Sequence, residues 1–135
     1  MKASPVKQIP ISIHDLDIGK FTFYPNIIVC EFKEGVHVDF ENAAYPIQLA
    51  QMELGSEKPV IYISHRSNSY SWNPVQYRDV IQLFPNFKGF AIVAQNKRRR
   101  MIARLERLFV KKPIRVFDNM DTAIEWAEDF LTRLD

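Results

Sequence analysis

The sequence predicts a single-domain α/β protein: a mixed sheet that opens with an antiparallel hairpin, continues in parallel strands and is packed by helices. Three observations carry that prediction. Two aromatic and β-branched runs are joined by a Pro-Asn pair. Short, continuous apolar runs recur later in the chain, as in the centre of a covered sheet. Segments with apolar residues at helical spacing alternate with those runs. The 135 residues suit one compact domain, and 47% hydrophobic with 25% charged residues is the ordinary soluble balance, which excludes a disordered or fibrous chain.

The elements follow in order. Residues 1–18 show no sustained period and contain Pro5 and Pro10, so they read as an extended, partly loose lead-in to a domain over 19–135. Lys20-Phe21-Thr22-Phe23-Tyr24 and Ile27-Ile28-Val29-Cys30-Glu31-Phe32 form a hairpin around Pro25-Asn26. From Asp39, a plausible N-cap, the residues Phe40, Ala43, Ala44, Ile47, Ala50 and Leu54 define a helix with one buried face, stopped by Gly55. Pro46 removes a hydrogen bond inside it, so a kink or a late start is expected. Val60-Ile61-Tyr62-Ile63-Ser64 is a buried strand, followed by the polar loop 65–72. Asn73-Pro74 reads as a cap and first-turn proline, leading into a short helix with Tyr77, Val80, Ile81 and Phe84 on one stripe. Phe90-Ala91-Ile92-Val93-Ala94 is the next strand, 97–109 the next helix, and Ile114-Arg115-Val116-Phe117 the last strand. Asp118 or Asn119 caps a final helix whose face is Ala123, Ile124, Ala127, Phe130, Leu131 and Leu134. The order is β-β-α-β-α-β-α-β-α, with no internal repeat.

Composition narrows the function classes. The longest purely apolar run is the five residues 90–94, too short for a membrane-spanning helix, and residues 1–8 lack the apolar stretch of a secretory signal. One cysteine, Cys30, excludes an internal disulfide framework and fits a reducing cytoplasm, the expected location. Cys30 alternates with Ile28 and Phe32 and reads as a buried structural thiol. Eight prolines against four glycines disfavour a glycine-rich nucleotide cradle. His14, His37 and His65 show none of the short spacings of a zinc site, and no G-x-S-x-G, Walker or G-x-G-x-x-G motif is present. No enzyme, metal or cofactor is expected.

The chain resembles the STAS-like domains, named for sulfate transporters and anti-sigma-factor antagonists and also described as SpoIIAA-like. The likeness lies in the hairpin and in Glu34-Gly35-Val36-His37-Val38-Asp39 before the first helix. It continues in Pro59-Val60-Ile61-Tyr62-Ile63-Ser64, Lys88-Gly89-Phe90-Ala91-Ile92-Val93 and Lys112-Pro113-Ile114-Arg115-Val116-Phe117-Asp118. Asp121-Thr122-Ala123-Ile124-Glu125-Trp126 is similar to the last helix of small, stand-alone bacterial members. It covers roughly residues 20 to 134. The resemblance implies a bacterial regulatory module that binds other proteins. In regulatory members a serine or threonine near the start of the second helix is phosphorylated by a partner kinase, which switches binding to an anti-sigma factor or related complex. Ser69 and Ser71 occupy about that place. The matching stretch, Ser67-Asn68-Ser69-Tyr70-Ser71-Trp72-Asn73-Pro74, lacks the acidic residue and the glycine of the family's aspartate–serine–serine–glycine turn.

Two constellations therefore carry the functional reading: the loop 67–72 with the start of the second helix, where Tyr70, Trp72 and Asn73 are the candidate partner contacts, and the basic third helix. In the serine loop, a phosphate on Ser71 would gain from the helix N-terminus; alternatively Ser71 or Asn73 simply caps the helix while the loop stays solvated. Tyr70 and Trp72 are either interface anchors or side chains folded back over the sheet edge. Downstream, the segment 97–115 holds nine basic residues against the single acid Glu106, so it carries +8 and leaves −6 for the rest of a chain of net charge +2. On a continuous helix, Lys97, Arg100, Arg104, Arg107 and Lys111 share a stripe of roughly 21 Å. Met101, Leu105 and Leu108 are expected toward the core, with Ile102 and Phe109 beside them. That stripe is a solvated face, a docking face for an acidic protein, or the alternative anion site for nucleic acid or anionic lipid. Pairing of Asp121, Glu125, Glu128 and Asp129 with the stripe of a second copy would give a salt-sensitive homo-oligomer.

Overall fold

The computed structural model describes residues 9–108 and 110–134; the first eight residues of the lead-in, Phe109 and Asp135 lie outside it. In chain order the elements are β1 (Ser12–Asp15), β2 (Gly19–Phe23), β3 (Ile27–Phe32), β4 (His37–Val38), α1 (Phe40–Leu54), β5 (Val60–His65), β6 (Ser71–Trp72), α2 (Pro74–Gln82), β7 (Phe87–Val93), α3 (Lys97–Arg104), a 3₁₀ turn (Leu105–Leu108), β8 (Ile114–Phe117) and α4 (Met120–Thr132). Six strands form one sheet in the order β1-β2-β3-β5-β7-β8. β2 pairs antiparallel with both β1 and β3, and β3, β5, β7 and β8 are parallel, so the mixed α/β sheet expected from the sequence is the one observed.

Three elements add to the sequence reading. β1 lies inside the expected lead-in and pairs with β2 along the sheet edge, Ser12 opposite Phe23 and Asp15 opposite Lys20. β4 and β6 form a second, two-stranded parallel sheet, His37 opposite Ser71 and Val38 opposite Trp72. The polar loop after β5 thus ends in a strand tied to the segment before α1.

Local chemistry explains the rest. The hairpin closes through the Tyr24 amide, which donates to the Ile27 carbonyl at 2.8 Å. α1 starts in a reciprocal cap: the Asn42 amide donates to Asp39 Oδ1 (3.0 Å) and the Asp39 amide to Asn42 Oδ1 (2.9 Å). That cap anchors the start at Phe40, so the late start considered for Pro46 does not occur. The buried face of α1 is Ala43, Pro46, Leu49, Ala50 and Leu54; Phe40 and Ala44, expected inside, are exposed. Asn73 caps α2, accepting from the Val75 and Gln76 amides, and Asn119 rather than Asp118 caps α4.

The three crossovers step across the sheet in one direction, and α1, α2 and α3 pack on one face while α4 packs alone on the other. Alternation along β5 serves both layers: Val60 and Tyr62 point to the three-helix side, Ile61 and Ile63 to α4. Gly19 lets β2 and β3 approach closely. A methyl group there would sit 2.5 Å from the Glu31 carbonyl oxygen and 2.9 Å from Phe32 Cα, both backbone atoms that cannot swing aside. Gly19→Ala is therefore expected to cost about 2 kcal/mol, read as a lowered denaturation midpoint. A change below about 0.5 kcal/mol, the range of ordinary surface substitutions, would show that β2 and β3 separate freely.

Candidate functional site

Where β5 leaves the sheet, the chain turns into a loop pinned on every side. The Arg66 amide donates to the Val93 carbonyl (2.8 Å), and Asn68 Nδ2 donates to the Phe32 carbonyl (2.9 Å). The Ser69 amide reaches Glu34 Oε1 (2.9 Å), and the Gly35 and Ser71 amides donate to the Ser69 and Val36 carbonyls. Tyr70 packs its ring on Phe32 at 4.8 Å and its hydroxyl lies 3.2 Å from Ser64 Oγ. Trp72 stacks on Tyr77 (4.9 Å) and meets Phe32 edge-on. Both aromatics fold back onto Phe32 and Tyr77 and, half-buried, still line a groove between this loop and α3.

Across from this loop, α3 differs most from expectation. It ends at Arg104, and the chain continues as a 3₁₀ turn, so no straight helix carries a stripe to Lys111. Ala103 is the one buried residue of α3. Met101, Leu105 and Leu108, expected in the core, are exposed, as is Ile102; Phe109 lies outside the described residues. Two members of the expected outward stripe bond backbone carbonyls instead of standing free. Arg100 donates to the carbonyls of Ala94 and Gln95 (both 2.8 Å), and Arg107 to the carbonyl of Ile114 (3.2 and 3.0 Å). Lys97, Arg104 and Lys111 stay exposed. Arg100 and Arg107 thus bond carbonyls just after β7 and at the start of β8, contacts that an apolar side chain could not make.

Between loop and helix lies a groove of about 680 Å³ lined by Arg66, Asn68, Ser69, Tyr70, Ser71, Trp72, Tyr77, Asn96, Arg98, Arg99, Ile102, Leu105 and Glu106. Its base is a two-pronged ion pair. The Arg66 guanidinium bonds both oxygens of Glu106, at 2.9 Å from Nη2 to Oε1 and closer from Nη1 to Oε2, while its Nε donates to Ser64 Oγ (3.1 Å). Its carbon lies 5.7 Å from the centre of the Tyr70 ring. Burial opposes the Arg66 charge, but Tyr70 and Glu106 hold it, and its pKa is raised overall. Burial, and then the Glu106 charge, push the Tyr77 phenol well above the usual range; burial also raises Tyr70 and lifts Tyr62 well up. Burial takes the Cys30 thiol to about 12.

These raised values set an alkaline limit. In the unfolded chain thiol and phenols ionise near about 8.5 and 10, while the fold keeps their protons. The unfolded state then binds fewer protons, and stability falls as pH rises. Below the unfolded pKa values the contribution is complete. The melting temperature is expected to drop steadily above about pH 9, with phenolate absorbance rising together with unfolding. Ionisation of all the tyrosines ahead of unfolding would contradict the burial.

The predicted serines are both exposed, but their partners differ. Ser69 Oγ accepts from Arg99 Nη2 at 2.7 Å, whereas Ser71 Oγ lies 2.8 Å from His37 Nδ1. Among the described residues no carboxylate contacts His37, so this pair lacks the orienting acid of a catalytic triad. Nor do three His, Cys, Asp or Glu side chains gather as metal ligands among those residues. Sequence reasoning missed Arg66, Glu106, Arg98 and Arg99 as site residues. One signal pointed to Glu106, the lone acid in a strongly basic segment.

No protein-family model and no curated protein matches the chain. One solved structure that does is an uncharacterized protein of the DUF3478 family from Shewanella loihica PV-4, described as having a SpoIIAA-like fold. It is 13% identical, with a TM-score of 0.50 over 90% of this chain and 98% of that one. At that identity the likeness speaks for architecture: the chain has a SpoIIAA-like α/β fold, as the resemblance in the sequence implied. No helix among the described residues is long and apolar enough to cross a membrane.

Proposed function

We propose that the chain is a non-enzymatic regulatory module that docks a protein partner in the groove between the serine loop and α3, with Ser69 as the residue a kinase would modify. The contact between Arg99 and the exposed Ser69 hydroxyl carries this reading. A phosphate on Ser69 would add about −2 charge and three acceptors beside that guanidinium, at the rim of the groove. Ser71, facing His37, has no comparable arginine among the described residues and is the second candidate. Asn73 is occupied as the cap of α2, so its role in docking reduces to fixing where the helix starts. The anion-stripe alternative through Lys97, Arg100, Arg104, Arg107 and Lys111 loses support, because Arg100 and Arg107 are engaged with carbonyls.

The test is retention from a nuclease-treated lysate of the source cell by the wild type, Ser69→Glu and Leu105→Glu, with mass spectrometry of bait and prey. A stoichiometric protein retained by the wild type, lost on Leu105→Glu and altered by Ser69→Glu supports the proposal. Retention of nothing, or of proteins indifferent to both substitutions, overturns it.

A further inference from the structure

We infer that the groove is built for an acidic amphipathic helix: a segment of two to three turns that buries leucine-like anchors against Ile102 and Leu105 and turns glutamates toward the basic rim. This rests on the docking role proposed above and names the chemistry of the partner.

The apolar side of the surface is unusual for a basic segment. Met101, Ile102, Leu105 and Leu108 are 59%, 54%, 58% and 79% exposed; Ile102 and Leu105 line the groove, and Met101 and Leu108 lie next to them along the chain. Isolated exposed apolar residues need no explanation, but four adjacent ones rimmed by charge mark an interaction surface. Of the charged residues that line the groove, Arg98 and Arg99 are cationic and Glu106 is already paired with Arg66 at the base; Lys97 and Arg104 add exposed positive charge on the same helix, and Glu34, on the serine-loop side, accepts from the Ser69 amide. A partner answering both features must be apolar on one side and acidic on the other.

The geometry separates a helix from other occupants. An extended peptide would need a free strand edge, and β6, the strand beside the groove, is two residues long, too short for strand addition to hold a ligand. A second copy of this chain could offer the acids of α4, but the apolar face of that helix, Ala123, Ile124 and Ala127, is buried in its own core. It would meet the charges and leave the apolar ridge uncovered. Nucleic acid would want open aromatic faces, yet Trp72 is stacked on Tyr77 and Tyr70 lies on Phe32. An anionic membrane is flat, and Ile102 and Leu105 face a concave groove whose other wall is Ser69 to Trp72. A helix laid in a groove, read at i, i+3/i+4 and i+7, fits this shape.

The experiment uses the full chain and a panel of fluorescent peptides of about 14 residues, roughly four turns. They carry Leu, Ile or Phe anchors on one face and Glu on the other, beside scrambled versions and versions with Lys in place of Glu. Saturable anisotropy changes are expected for at least one acidic amphipathic peptide, with binding weakened about tenfold or more by scrambling, a difference of about 1.4 kcal/mol, and abolished by Glu-to-Lys reversal. Leu105→Glu and Arg98→Glu, both at exposed positions, should each weaken binding by a similar factor while circular dichroism stays native. Partial salt sensitivity is expected, since the anchors are not screened. Equal binding of scrambled peptides would show charge attraction alone and overturn the inference. So would binding to anionic vesicles or single-stranded oligonucleotide in place of every peptide. If the whole panel fails while the lysate partner is still lost on Leu105→Glu, the docking role stands and the helix chemistry is wrong. If both fail, both readings fall together.

Discussion

Glu106→Ala is expected to destabilise the protein by about 3–5 kcal/mol, lowering the melting temperature by roughly 10–15 °C. The side chains of Arg66 and Glu106 are only 13% and 16% exposed. Removing the carboxylate leaves the guanidinium buried, still tethered to Ser64 Oγ and lying over Tyr70, with nothing to neutralise it. The Glu106 charge that raises the Tyr77 phenol is removed at the same time. The pair also joins elements distant in sequence, the end of β5 and the 3₁₀ turn after α3, so its loss loosens one wall of the groove. Replacing both partners together, Arg66→Met with Glu106→Leu, should recover most of the lost stability, because an apolar pair of similar volume leaves no orphaned charge. Glu106→Gln should fall between, keeping an acceptor without the charge. A cost below about 1 kcal/mol for Glu106→Ala would mean that the pair behaves as a surface ion pair and that the groove is open to water at its base.

The elements that were legible in the sequence are those whose signal is local. The β2–β3 hairpin, the apolar runs of β5 and β7, and the caps Asp39 and Asn73 need only their neighbours in the chain; all are present, although β7 begins at Phe87, three residues before the apolar run that signalled it, and ends at Val93. β1 escaped because it is a four-residue edge strand of alternating half-buried and exposed residues, with polar Ser12 and His14 on its inner face. β4 and β6 are two residues each, too short for any period, and exist because Val38 and Trp72 bring their backbones together.

The candidate site was half legible for a related reason. That the serine loop and the basic segment matter together could be read as two separate constellations, but not that they face one another across a groove. Tyr70 and Trp72 folded back because Phe32, from a different strand, and Tyr77, from the next helix, supply better contacts than water. Arg66 gave no local sign of its role, since an arginine after a strand is ordinarily solvated. Its partner lies forty residues away.

The orientation of α3 is where the two readings diverge most, and it yields a sharp contrast between two substitutions. On the sequence pattern, Leu108 belongs to the core and Ala103 is incidental; in the structure, Ala103 is fully buried and Leu108 is 79% exposed. Ala103→Asp is therefore expected to cost about 4 kcal/mol or more, because a carboxylate would enter the dry seam between α3 and the sheet without a partner. Arg100 and Arg107 flank that seam but are held by the carbonyls of Ala94, Gln95 and Ile114. They cannot turn to neutralise it without orphaning those oxygens. Leu108→Ser should shift stability by less than about 0.5 kcal/mol, while weakening whatever docks along the apolar ridge. Chemical denaturation of the two variants checks the pair directly. If Leu108→Ser unfolds the protein and Ala103→Asp is tolerated, α3 sits with its leucines inward, and the groove, its basic rim and the acidic helix proposed for it all lose their foundation.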